Sequence, residues 1–232
     1  MPSTSVTLSA VTRARLSAAA ATWFDNAIDA ARRQDRNRLL GSYTGAARHA
    51  GNSSLSLTAE ERSSLLDTAP EMSFDHWTNA DAARAALLLA AAEGAPDVDA
   101  WIDLATACFE NGDAREQQSW LRGLALMPHA QRFTSTAVDS CRSHIQPTFE
   151  SIACENPFPA ACFPENQFNQ MVLKALFTGV RIERITGLTR RLNPELSRMA
   201  RDYAAERRAA GRPVPVDLPL ALHDLALEEH TT

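Results

Sequence analysis

Apolar residues recur along this chain at helical spacing almost throughout. Leu16, Ala20, Trp23, Ala27 and Ala30 mark one face of a long first helix, and the Gly- and Ser-rich interval from Gly41 to Ser56 reads as a loop. Thr58 and Glu61 form a capping box ahead of Leu65 and Leu66. A further helix covers about Ala80 to Ala92 and stops at Gly94. Asp97 then caps a helix carrying Trp101, Leu104, Ala105 and Cys108, which the pair Asn111-Gly112 ends in a left-handed turn. Asp113 and Glu116 open the next helix, with Trp120, Leu121 and Leu124 inward and a stop before Pro128. Two helices joined by so tight a turn must pack antiparallel. Another helix is expected from Ala130 to Ile145.

Strand signals are nearly absent, so the fold class is all-α. The Trp…Leu…Gly-Asp…Trp-Leu…Pro pattern is like one degenerate tetratricopeptide or HEAT unit, but no second copy carries the same signature. Antiparallel helix pairs forming an irregular α-α superhelix are therefore favoured over a compact helical bundle. Residues 1–12 are expected to be a flexible N-terminus, and 13–232 a single all-helical domain.

Composition narrows the function classes. With 45% hydrophobic and 22% charged residues the chain is ordinary globular material. A formal net charge of −5 argues against a general nucleic-acid binder. The charge is uneven, because nine arginines and four acids lie between Arg181 and Arg212, giving that segment +5. Such a segment either attracts anions or pairs with acids elsewhere in the chain. The opening stretch MPSTSVTLSAVTRARL lacks the apolar core of a signal peptide, and no run approaches ~20 apolar residues, so no transmembrane segment is expected and the location is read as cytoplasmic. Cys108, Cys141, Cys154 and Cys162 form no Cys-x-x-Cys pair. Cys108 and Cys141 read as core thiols, while Cys154 and Cys162 bracket a proline loop where a disulfide is conceivable. No metal or cofactor motif is present, so none is expected.

The chemistry concentrates between Ser151 and Pro215. Glu155-Asn156-Pro157-Phe158-Pro159 cannot be helical throughout. Pro164 restarts a helix that buries Phe168, Met171, Val172, Ala175 and Leu176. Asn166, Gln170 and Lys174 share another face of it, with Gln167 and Asn169 beside them. That face offers hydrogen bonds to a polar small molecule, or caps for carbonyls of the proline loop. Lys174 is the only lysine among 23 basic residues. A compact ammonium in a confined site, paired with Glu155 or an anionic ligand, would account for it, and so would chance. Further on, Asn193-Pro194 starts a helix, and Arg190, Arg191, Asn193 and Arg198 make a candidate anion site. No catalytic constellation stands out, and Glu155 is the best single acid-base candidate.

The segments ENPFPAACFPENQFNQMVLKALFTGV and GLTRRLNPELSRMARDYAAERRAAGRPVP, with WLRGLALMPHAQRF more weakly, resemble the EboA-domain family. The resemblance implies a component of a biosynthetic cluster that processes or exports secondary-metabolite precursors. Its neighbours there would be metal-dependent hydrolases, a prenyltransferase-like membrane protein and a dehydroquinate-synthase-like protein. The resemblance carries no catalytic residues with it. The expected function is a non-catalytic helical adaptor or small-molecule-binding component, partnered by other proteins of the cluster and by a small, anionic metabolite. The ligand-binding candidates are Glu155, Asn156, Asn166, Gln170, Lys174, Arg190, Arg191, Asn193 and Arg198. The alternative is an all-α enzyme acting on an anionic or isoprenoid-like metabolite.

Overall fold

A computed structural model describes residues 3–223. Among them the fold is all-α, with antiparallel helix packing and no strand beyond an isolated bridge between Ser54 and Thr78. Contacts divide the chain into two compact units, Met1–Phe133 and Thr134–Thr232, where one domain over 13–232 was expected.

The first unit holds α1 (Thr4–Arg13), α2 (Ala18–Arg32), α3 (Arg36–Ala50), α4 (Ala59–Leu66), α5 (Asn79–Gly94), α6 (Val98–Glu110) and α7 (Ala114–Gly123). Helix α5 is its axis. Every residue from Asn79 to Ala91 is buried, its alanines and leucines on all sides and Asn79, Asp81 and Arg84 among them, and α1, α2, α3, α6 and α7 pack against it. Its end comes so close to α2 that a Cβ on Gly94 would lie 1.9 Å from the Arg32 carbonyl oxygen. The capping boxes at Thr58–Glu61 and Asp113–Glu116 form as expected, as does the Asp97 cap.

Several expectations are corrected. Of residues 1–12, expected to be flexible, 4–12 belong to the helix α1, because Ser3 caps it and Leu8 and Val11 are buried. The interval Gly41–Ser56 is mostly the helix α3. Leu39, Tyr43, Ala46 and Ala50 form its buried stripe, and Gly41 and Gly45 sit where added side chains meet nothing tighter than 3.7 Å. The helix accepts a cost of about 1 kcal/mol per glycine because tertiary packing outweighs propensity. Asn111 closes α6 with right-handed backbone rather than a left-handed turn. The span Ala130–Ile145 divides into a 3-10 turn, Ala130–Phe133, and α8 (Thr134–Cys141).

A polar cluster crosses the core of this unit. Asp81, Arg84 and Glu116 are each only 4% exposed, so all three charges are desolvated and need partners. Arg84 donates to the Tyr43 carbonyl and to Ser119 Oγ, both at 3.0 Å, and lies 3.8 Å from Glu116. Ser119 donates to Asp81 at 2.5 Å, Thr78 donates to Asp81 through its backbone N–H and its hydroxyl, and Arg122 approaches Asp81 at 3.6 Å. Tyr43 donates to the Glu116 carbonyl at 3.0 Å, and burial holds its phenol well above the ordinary value. The network therefore fixes α3, α5 and α7 in one register.

The second unit continues from α8 through α9 (Gln146–Ala153), α10 (Phe158–Cys162), α11 (Glu165–Thr178), α12 (Leu188–Arg191) and α13 (Pro194–Ala209). Pro164 immediately precedes α11, Gly179 ends it in the left-handed region at φ 77°, and Asn193 caps α13 through Leu196 N–H. After α13 the chain makes a 3-10 turn over Leu218–Ala221 before the described residues end. Among the described residues no helix is long and apolar enough to cross a membrane.

Replacing Arg84 with alanine should cost about 3–5 kcal/mol, since Glu116 would stay buried without its cation and the Tyr43 carbonyl and Ser119 would lose their donor. Urea denaturation measures this, and a loss below about 1 kcal/mol would mean the network is incidental. A second test is by pH. Hydrogen bonds from Arg15, including one at 2.6 Å, hold the Glu61 carboxyl down at about 2 against an ordinary 4.5. A depressed folded-state value stabilises above the unfolded one, so this contribution is complete above about pH 4.5 and is lost as pH falls toward 2. Glu61→Gln should flatten that part of the stability profile, and an unchanged profile would contradict the assignment.

Candidate functional site

Helices α8 and α11 form the two sides of a pocket of ≈ 400 Å³ in the second unit. Val138, Cys141, Arg142 and His144 line it from α8 and the turn after it. Gln167, Gln170, Met171, Lys174, Phe177 and Thr178 line it from α11, and Phe163 completes it. The lining is mostly apolar with a few polar groups, the usual make-up of a small-molecule site. It follows from the repeat of α11. Phe168, Val172, Ala175 and Leu176 go to the core, and the adjoining face, 167-170-174-178, turns toward the pocket with Met171 between them.

Lys174 sets the geometry. Its Nζ donates to the Cys141 carbonyl and, at 2.6 Å, to the Ser143 carbonyl, and lies 4.8 Å from the centre of the Phe149 ring. These carbonyls close α8, where a cation satisfies orphan acceptors and opposes the negative end of the helix dipole. Burial pulls the ammonium below the ordinary lysine value. Lys174 thus caps carbonyls, but those of α8 rather than of the proline loop, and it does not pair with Glu155.

Glu155 belongs to a different cluster. Arg184 grips both its oxygens, Nε to Oε1 at 2.8 Å and Nη2 to Oε2 at 2.9 Å, and reaches Glu150 with Nη1 at 2.7 Å. The Glu155 N–H also donates to the Arg184 carbonyl at 2.9 Å, which holds the residue at φ 50°. The two carboxylates keep the Arg184 guanidinium above its ordinary range. Asn156 is buried and serves the same turn, donating to the Ser151 carbonyl and accepting from Phe158 N–H at 3.0 Å.

The remaining candidates disperse. Arg191 donates to the carbonyls of Ala160 and Phe163, with its guanidinium 4.6 Å from the Phe168 ring centre, so it joins α12 to α10 and α11. Asn193 exchanges amide hydrogen bonds with Asn169 at 3.0 and 3.1 Å. Arg190 is exposed and lies over Gly187. Arg198 holds Glu195 and Asp202 on the exposed face of α13. Asn166 is exposed in the first turn of α11 and lies off the pocket. Of the nine expected ligand-binding residues, the pocket therefore brings together Gln170 and Lys174.

Val138, Cys141, Phe163 and Phe177 were not anticipated there. Phe177 had a readable signal, since it falls off the buried stripe of α11 and is 73% exposed. Burial pushes the Cys141 thiol up to about 12, which makes it a wall of the pocket rather than a nucleophile. Cys154 and Cys162 are free thiols, not a disulfide. Among the described residues no group of three or more His, Cys, Asp or Glu side chains is placed to hold a metal ion; His230 lies outside them.

Fold and pocket together define an all-helical protein with a small-molecule-sized cavity in its second unit. The family model described as metabolite traffic protein EboA matches residues 4–222, and the chain belongs to that family. The family gives it a metabolite-related role. No curated protein and no solved structure matches it.

Lys174→Met keeps the stem but removes the donors from two carbonyls. Stability should fall by about 1.5–3 kcal/mol, the range for hydrogen bonds to a charged group. Chemical denaturation compared with a Gln170→Met control reads the difference. Equal midpoints would show that the lysine does not hold the end of α8.

Proposed function

We propose that this EboA protein is a non-catalytic component that holds a small metabolite in the α8–α11 pocket during processing or export of a secondary-metabolite precursor, working with other proteins of its cluster in the cytoplasm. The observation that carries this reading is the pocket lining. Phe163, Met171 and Val138 offer an apolar bed, and Gln167 and Gln170 offer both donors and acceptors at its rim. The groups around it are suited to holding rather than to reacting. Cys141 is kept as the thiol and Lys174 is committed to two carbonyls, while the acid-base candidate Glu155 lies outside the pocket with both oxygens held by Arg184.

The competing reading is an all-α enzyme acting on an anionic or isoprenoid-like metabolite. The same apolar bed favours an isoprenoid body, so the test separates holding from turnover.

Nile red, a neutral apolar dye, should bind the full chain with enhanced fluorescence. Gln170→Trp, a change at an exposed position that fills the pocket, should weaken it at least about tenfold, or about 1.4 kcal/mol. A cluster metabolite that displaces the dye should be recovered with unchanged mass. Recovery of a converted product would establish the enzyme. Undiminished dye binding in Gln170→Trp would remove the pocket from the function.

A further inference from the structure

We infer that the ligand of the α8–α11 pocket is an amphiphilic organic anion, its carboxylate or phosphate head at the rim near Arg142 and Lys174 and its apolar body on Phe163 and Met171. This deepens the proposed holding function and rests on it. The chain is acidic overall, with 28 Asp and Glu against 23 Lys and Arg, yet among the described residues no carboxylate lines this pocket. The lining carries two cations, Arg142 and Lys174, with the imidazole of His144 beside them. A cationic ligand would find no counter-charge there, and a neutral one would leave the local positive potential unused.

The two cations differ in what they contribute. The hydrogen bonds of Lys174 go to the carbonyls of Cys141 and Ser143, and among the described residues no carboxylate pairs with it, although those carbonyls screen part of its charge. Arg142 forms an ion pair with Asp139, and both side chains are about two-thirds exposed, 65% and 67%. That pair is solvated and exchangeable, so the guanidinium can turn to an incoming anion at little cost. Exposure also limits the gain. The anion preference should be modest and salt-sensitive, with the apolar body supplying the greater share of affinity.

Matched probes test this on the full chain by displacement of Nile red. They are 4-phenylbutyrate, 4-phenylbutyl phosphate, the neutral 4-phenylbutyramide and the cationic 4-phenylbutylamine. At least one anion should bind about fivefold tighter than the amide at low salt, and the amine should be weakest. Arg142→Gln should bring anion and amide to within about twofold, and raised salt should do the same to the wild type. A stronger carboxylate or a stronger phosphate supports the inference and names the head group. Amide binding as tight as both anions, or an anion preference that survives Arg142→Gln, overturns it while leaving the holding function intact. Binding of none of the four, or binding unaffected by Gln170→Trp, removes the pocket reading and this inference together.

Discussion

The contact between Lys174 and the end of α8 is the constraint on which the functional unit depends. An eight-residue helix is too short to hold its own last turn, and its closing carbonyls need donors. Lys174 reaches them from the middle of α11, so one side chain fixes the separation of the two sides of the pocket. A lysine suits the task because its compact ammonium can serve two carbonyls and still stand near the Phe149 ring. The single lysine of this arginine-rich chain has a structural explanation. It also leaves a positive charge beside the cavity, next to that of Arg142.

The arginines around it illustrate the other use of a cation. Arg184 clamps two acids, Arg191 gathers carbonyls from α10 and the turn that follows, and Arg84 is buried among carboxylates of the first unit. A planar guanidinium with five donors suits each of these junctions. The segment net charge of +5 therefore overstates the free positive surface, because two of its nine arginines, Arg184 and Arg191, are spent on joining elements of the fold.

Local signals in the sequence were legible where chemistry is local. The caps at Asp97, Thr58, Asp113 and Asn193 and the stripe Phe168–Leu176 follow from short-range rules and stand in the structure. Helix α3 was not legible, because glycine content spoke for a loop and only packing on α5 reverses it. The candidate site divided for a similar reason. Gln170 and Lys174 share a helix face, so periodicity alone put them together. Glu155 and Arg184 are 29 positions apart, and nothing along the chain says that they meet. Cys141 looked like a plain core residue because an unfilled space beside it leaves no mark in the sequence.

Methyl NMR on the methionines tests most directly whether the cavity between α8 and α11 holds a ligand. Met171 lines it, while Met72 and Met127 belong to the first unit. Titration with Nile red should shift the Met171 methyl signal and leave those of Met72 and Met127 in place. A shift at Met72 or Met127 with Met171 unmoved would put binding in the first unit and contradict the pocket.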